Sequence, residues 1–392
     1  MTAIVTYARV RSALAATRSL GRKGIKVITA DDSYPSTSFF SKYSSSYFVY
    51  PSYKSSPKLF IECLKRYIQK NNNVKVLMPI SEETYVVSKY KNVFDSLVEI
   101  PIASYSKILR ANNKRTLIEF ANEIGVKTPK TYTINTIDEL RKIAPKIEYP
   151  VVIKLVEGRG SAGLRYVYSE DELISEYKKV VQKFNLDPSK FPLVQEYIPG
   201  TGYGVSMLFN QGEPRAIFTH KRLREYPITG GPSTLRISVR HSKMERYATM
   251  LLRELEWHGV AMVEFKLDDR TKKPVLMEVN PRFWGSLNQA ICAGVDFPYL
   301  LYTMATEGDV KPVFKYKVGV KARWMLGDCR ALLDYLKTKK WFRALKDFLV
   351  IRGQYYDDID LSDPLPTIAE IMIPIINFIR RGKLQFSPDE AR

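Results

Sequence analysis

The chain has 392 residues, 45% hydrophobic and 26% charged, which is too long for a single core and typical of a globular protein built from two or three packed units. Lys and Arg number 61 against 41 Asp and Glu, a net charge of +20 that attracts nucleic acid, anionic lipid or a phosphorylated ligand without choosing among them. No apolar run reaches the ~18 residues that span a bilayer, and the scattered Cys63, Cys292 and Cys329 and isolated His220, His241 and His258 argue against a disulfide framework or a histidine- or cysteine-rich metal site.

In chain order, "AIVTY" predicts a buried strand, "ARVRSALAATRSLGRKG" a helix closed by Gly24, and "IKVITADD" a second strand. This β-α-β order predicts a parallel, doubly wound sheet, although the first turn has no G-x-G-x-x-G to hold a dinucleotide. No basic, signal-like segment opens the chain, so a reduced, cytoplasmic setting is expected. Residues 33–56, rich in Ser and Tyr with Pro35 and Pro51, read as an irregular loop. A helix over 58–70, the strand "VKVLMPI", the helix "SEETYVVSKYKNVF" and the strand "LVEIPIAS" follow. One helix is predicted over 104–125, ended by Gly125. "PVVIKLV", the glycine-rich turn "EGRGSAGLR", "YVYS" and "FPLVQEYIPG" predict a second α/β unit. Strands and loops alternate over 201–288 around one helix near 241–257, and the pattern turns helical from about 330.

Several residues stand out chemically. Glu264 lies in "GVAMVEFKLD", which the polar turn "DDRTKK" joins to the strand carrying Glu278 and Asn280. The strand period puts Glu278 and Asn280 on one face, and hairpin pairing can bring Glu264 beside them. Two carboxylates and an amide oxygen held together repel unless a cation lies between, and such hard ligands suit Mg²⁺ completed by phosphate oxygens. The plainer alternative is the polar face of a half-exposed hairpin. Lys154 is embedded in an apolar strand and needs an anionic partner. Lys114 offers a second cation from a helix, and Gly158, Gly160 and Gly163, with Ser161 between them, would let backbone N–H groups approach a phosphate. Glu196, Tyr197 and Ile198 close a strand whose exit could meet the donor and acceptor edges of an adenine.

Together these pieces resemble the ATP-grasp superfamily, of the carboxylate–amine ligase type. The resemblance rests on Lys114, Lys154, the glycine-rich flap, "QEYIPG", and "MVEF" followed by "LMEVNPRFWG". It implies an α/β chain with a Rossmann-like pre-ATP-grasp domain (1–103), a linking helix and lid subdomain (104–197), a mixed metal and substrate subdomain (198–325) and a helical C-terminal extension (326–392). It further implies ATP with Mg²⁺, or Mn²⁺ in its place. Lys114 and Lys154 then contact phosphates and adenine, Glu196 and Ile198 border the adenine, Glu264, Glu278 and Asn280 hold the metal, and Arg282 and Lys154 act at the reacting phosphoryl group. The implied reaction passes through an acyl phosphate that an amine opens to an amide. Two departures stand out: Gly202 lies where many relatives carry a ribose-binding acid, and Asn113 precedes the helix lysine where aspartate is common.

Substrate residues are read from position. The loop "FTHKRLREYPITGGPSTLR" offers Lys221, Arg222, Arg224 and Arg236 around Gly230 and Gly231 to clamp a carboxylate. Ser81, Glu82 and Glu83, at the C-terminal end of a strand where open α/β sheets bind ligands, could hold an ammonium group. The expected partners are a small carboxylate and an amine, with no nucleic acid. The alternatives are an ATP-grasp phosphotransferase, a ligase with a non-amine acceptor, and, outside the fold, a basic nucleic-acid-binding protein. The segment "IMIPIINFIRRGK" either packs on the core or lies on an anionic membrane, and a homodimer is the default assembly.

Overall fold

The computed structural model describes all residues except 158–162, 229, 339–340, 351–352 and 382–392. Fifteen strands are defined among the described residues: β1 (Thr2–Val5), β2 (Lys26–Asp31), β3 (Ser44–Val49), β4 (Val74–Met78), β5 (Thr131–Thr133), β6 (Val151–Lys154), β7 (Arg165–Val167), β8 (Leu193–Glu196), β9 (Gly200–Asn210), β10 (Glu213–Glu225), β11 (Ser233–Ser238), β12 (Gly259–Asp268), β13 (Pro274–Asn280), β14 (Lys321–Arg323) and β15 (Gln354–Tyr356). They build a parallel sheet β3-β2-β1-β4, a small antiparallel sheet β5-β8-β6-β7, and a seven-stranded sheet β13-β12-β9-β10-β11-β14-β15.

The first sheet follows from its sequence. Thr2–Val5 is buried throughout and Val74–Met78 nearly so, as a parallel sheet covered on both faces requires. Three expectations fail locally. Residues 33–56 are not all irregular, because Ser44–Val49 pairs in parallel with β2. Its serines and partly exposed aromatics make an edge strand with no hydrophobic alternation to read. The stretch 97–104 makes only a single parallel bridge, Val76 to Glu99. The helix over 104–125 is two helices, Tyr105–Asn112 and Lys114–Glu123, broken at Asn113. There the Asn113 side chain accepts from the N–H groups of Arg115 and Thr116. Asparagine caps a helix about as well as aspartate, so one departure in the sequence has a structural account.

The hairpin β12–β13 carries a bulge that periodicity could not show. Glu264 pairs with Glu278, but the next pair is Phe265 with Leu276, so Met277 is the extra residue. One added residue reverses the facing of everything beyond it. Leu276, which strict alternation would put on the face of Glu278 and Asn280, instead joins Phe265, Val263 and Val279 in the core beneath the sheet.

The C-terminal extension is not purely helical. β15 adds to β14 in parallel, and the acidic run after it straps the extension to the first domain. Asp357 pairs with Arg11, at 2.7 Å, and with Arg236. Asp363 accepts from Arg18 Nε at 2.9 Å, the Ser41 hydroxyl at 2.7 Å and the Lys42 N–H at 2.9 Å. Asp358 accepts from the N–H groups of Met325 and Leu326 at the start of the helix Met325–Leu336. Among the described residues no helix is long and apolar enough to cross a membrane.

Candidate active site

The site forms where the seven-stranded sheet meets the helix Lys114–Glu123 and the end of β6. Glu264 and Glu278 face each other across β12 and β13, and Asn280 Nδ2 donates to Glu264 Oε1 at 3.0 Å. Like charges directly opposite on neighbouring strands destabilise a sheet unless cations attend them. Here they do: Lys114 Nζ lies 3.5 Å from Glu278 Oε2, and Arg222 pairs with Glu264.

Arg222 lies on β10, two strands away from Glu264, with β9 between them. The intervening strand presents Gly202 and Gly204, which pair with Lys266 and Glu264 respectively. A Cβ at Gly202 would stand 3.0 Å from Arg222 Cδ, and one at Gly204 only 2.5 Å from His220 Cε1. Gly202 therefore leaves room for the Arg222 side chain on its way to the carboxylate, and Gly204 leaves room for the His220 ring.

Burial pushes the Glu278 carboxyl up, but Lys114, Lys154, Arg222 and Arg282 outweigh it and hold its pKa below the usual carboxylate value. Glu264 lies above that value, because burial and the neighbouring Glu278 and Glu225 outweigh the attraction of Arg222. The set fits a divalent cation. Two hard carboxylates crowd together, one of them with its pKa raised by burial and by its acidic neighbours, with an amide at hand. Two carboxylates with an amide beside them are the kind of hard donor set that Mg²⁺ takes, with phosphate oxygens completing its shell.

Beside this cluster opens a cavity of about 400 Å³, lined by Lys114, Glu157, Glu278, Asn280 and Arg282 on one side. Tyr53, Lys54, Glu82, Tyr85 and Val86 of the first domain line the other, with Leu109 and Asn112 between. The volume suits a small molecule.

Residues 111–286 match the protein family described as ATP-grasp domain. That region is an ATP-grasp domain. The fold agrees: the biotin carboxylase domain dimer of 2-oxoglutarate carboxylase from Hydrogenobacter thermophilus, solved with MgADP, ADP and bicarbonate, superposes with a TM-score of 0.66 at 14% identity, over 82% of this chain and 73% of that one. An L-amino acid ligase from Bacillus licheniformis gives a TM-score of 0.61 at 17% identity, over 79% of this chain and 77% of that one. By sequence, the carbamoyl phosphate synthase large chain of Pyrococcus furiosus is 25% identical over 241 residues, 60% of this chain but 22% of its own length. The chain thus spans about a fifth of the length of that curated relative.

Within the ATP-grasp fold the three sheets fall into place as the parallel N-terminal sheet, the small antiparallel sheet and the large mixed sheet. The metal, phosphate and phosphoryl candidates Lys114, Lys154, Glu264, Glu278 and Arg282 lie in one electrostatic cluster with Asn280 hydrogen-bonded to Glu264, and Arg222, read from the sequence as a substrate clamp, pairs with Glu264 in the same cluster. Other residues go elsewhere. Arg224 is not at the site: it is buried, and Asp328 accepts from its Nε and Nη2 at 2.7 and 2.8 Å. Glu83 is also buried, accepting from Thr6 and from the N–H groups of Ile80 and Ser81, so it staples the end of β4. Ser81 is buried in the same staple, and Glu82 alone of that trio lines the cavity. Gly231 packs against the Tyr226 carbonyl, while Gly230 approaches Tyr166 of β7. The Glu196 carboxylate is held by Arg270 at 2.6 Å. Ile198 is buried, its carbonyl accepts from Lys266 Nζ at 3.0 Å, and Lys266 lies over the Tyr197 ring. Gly163 takes a φ of +67°, while Gly158, Gly160 and Ser161 lie outside the described residues.

Tyr53 and Lys54 escape the sequence because their stretch carries no motif, and Tyr85, Glu225 and Lys266 because nothing along the chain marks which neighbours of a motif reach the site. Glu225 is the most telling: a Cβ at Gly202 would lie 3.4 Å from its Oε1, so β10 sets a carboxylate beside the position where the acid is missing from β9.

Lys154 gives a measurable signature. Burial, together with Lys114 and Lys266, outweighs Glu278 and Glu264 and pulls its pKa down to about 8. A bound polyphosphate favours the charged form, so nucleotide binding near pH 8 should take up a proton, and affinity should fall as pH rises above about 8. Calorimetry in buffers of different ionisation enthalpy measures that uptake. Lys154→Met should abolish it, and an absence of uptake in the wild type would separate Lys154 from the nucleotide.

Proposed function

We propose that this chain is an ATP-dependent ligase that joins a small carboxylate to an amine through an acyl phosphate. One observation carries the reading: a directly opposed pair of carboxylates, ringed by Lys114, Lys154, Arg222 and Arg282, opens onto a small-molecule cavity whose far wall is Tyr53, Lys54, Glu82, Tyr85 and Val86. ATP brings roughly four negative charges, which the surrounding cations would neutralise. Glu264, Glu278 and Asn280 would hold Mg²⁺, whose charge lowers the barrier to phosphoryl transfer. Lys114 and Lys154 hold the phosphates, Arg282 faces the transferred group, and Glu225 takes the ribose contact that Gly202 cannot make. The substrate carboxylate attacks the γ-phosphorus as ADP departs. The amine then attacks the acyl carbon, and phosphate leaves.

The cavity suits both partners. Arg282 and Lys54 can meet a carboxylate, Glu82 and Glu157 an ammonium group, and Val86 and Leu109 an apolar side chain. An amino acid satisfies all three, in keeping with the amino acid ligase among its structural neighbours. Bicarbonate is the second acid to test, since another neighbour was solved with it.

A screen of amino acids, dipeptides and bicarbonate for ADP release tests the reading. ADP should accumulate with an acid and an amine together and only slowly with the acid alone. ADP release that is indifferent to every acid would contradict acyl-phosphate chemistry, and release with bicarbonate but no amino acid would move the reaction to the carboxylase type.

A further inference from the structure

The helix Leu365–Arg381 turns an apolar face to solvent. Leu365, Ile368, Ile371, Met372, Ile375, Phe378 and Ile379 are between 39% and 77% exposed, and their three- and four-residue spacing makes them one stripe. Pro366, Ala369 and Pro374 face inward, and Glu370, the only charged residue from 365 to 379, accepts from the Trp324 indole N–H at 3.2 Å. A helix resting on a globular body normally shows the opposite polarity, with its charged face outward. At ~1.5 Å per residue the stripe is roughly 20 Å long.

Aromatics extend this surface. The helix packs on the turn Thr37–Phe40, where Phe39 stacks on Tyr47 with ring centroids 4.5 Å apart and Tyr34 stacks on Tyr47 at 5.9 Å. Tyr34 and Tyr47 are themselves exposed. Tyrosines with an apolar body and a polar tip favour the headgroup level of a bilayer.

Charge decides between possible occupants. The chain carries +20, the stretch 337–346 has five basic and no acidic residues, and Arg380, Arg381 and Lys383 follow the stripe in sequence. Two such chains brought together repel, whereas an anionic surface attracts each of them. We propose that the helix Leu365–Arg381 lies in the surface of an anionic lipid bilayer and holds the ATP-grasp body there. It lies on the membrane rather than through it. This inference is independent of which reaction the site performs.

Co-sedimentation of the full chain with vesicles tests it, using phosphatidylcholine alone and phosphatidylcholine with phosphatidylglycerol. The chain should pellet with the phosphatidylglycerol vesicles and be released by salt. An Ile371→Glu, Ile375→Glu double variant should lower the partition coefficient roughly tenfold or more, with an unchanged thermal midpoint because both positions are exposed. Failure to bind, equal binding to phosphatidylcholine alone, or undiminished binding by the variant would each overturn the proposal. A dimer in sedimentation velocity that the variant breaks, without vesicle binding, would assign the face to a second copy instead.

Discussion

Glu278→Gln is expected to lower ATP turnover roughly 10²–10³-fold, the scale seen when a preorganised electrostatic contact is removed from a phosphoryl- or acyl-transfer site. The substitution keeps the side chain's shape and removes its charge. In the free protein Glu278 is the carboxylate facing Lys114 at 3.5 Å and is held below its usual pKa by four cations. Neutralising it leaves Lys114, Lys154, Arg222 and Arg282 with less anionic counterweight and deprives a divalent cation of one of its two carboxylates. The fold should survive, because the pair also loses its like-charge repulsion with Glu264. The measurement is ADP release under saturating nucleotide, with the thermal midpoint as control. Near wild-type turnover would remove Glu278 from the reaction.

Asp328→Ala is expected to destabilise the chain by about 3–5 kcal/mol, the cost of breaking a buried ion pair from one side. Asp328 is fully buried, accepting from Arg224 Nε and Nη2 and from the Thr234 hydroxyl, with Arg323 Nε 3.4 Å away. Removing it leaves the buried Arg224 guanidinium without its carboxylate in the seam between β10, β11 and the helix Met325–Leu336. The thermal midpoint should fall by several degrees. The same pair decides the role of Arg224. A substrate-binding arginine would change KM and leave the midpoint alone, whereas Arg224→Met should lower the midpoint. A stable Arg224→Met protein with a raised KM would return Arg224 to the substrate.

What the sequence makes legible here is local. Lys154 in an apolar strand, and two acids on adjacent strands of a hairpin, are unusual enough to be seen without coordinates, and the structure does bring them together. Long-range placement is less visible. Arg222 and Arg224 are two residues apart on one strand and look alike, yet the register against β11 shifts between them, so only the first reaches Glu264, passing Gly202 of β9. The Met277 bulge reverses the facing of Leu276 without altering the composition that a period-two pattern reads. Lys54 and Tyr53 join the cavity from a loop with no periodicity at all. The row Asp357, Asp358, Asp360 and Asp363 looks like a solvated acidic run, and its arginine partners lie more than 100 residues away in sequence. Charges that find partners through topology give no signal along the chain.

The central claim is that Glu264, Glu278 and Asn280 hold a divalent cation against the phosphates of a bound nucleotide. The most direct measurement is water-proton relaxation by Mn²⁺ on the wild type and on Glu278→Gln, with and without ADP. The account predicts weak Mn²⁺ binding by the protein alone, strongly enhanced binding when ADP is present, and loss of that enhancement in the variant. Mn²⁺ affinity that ignores both the nucleotide and the Glu278 substitution would contradict it.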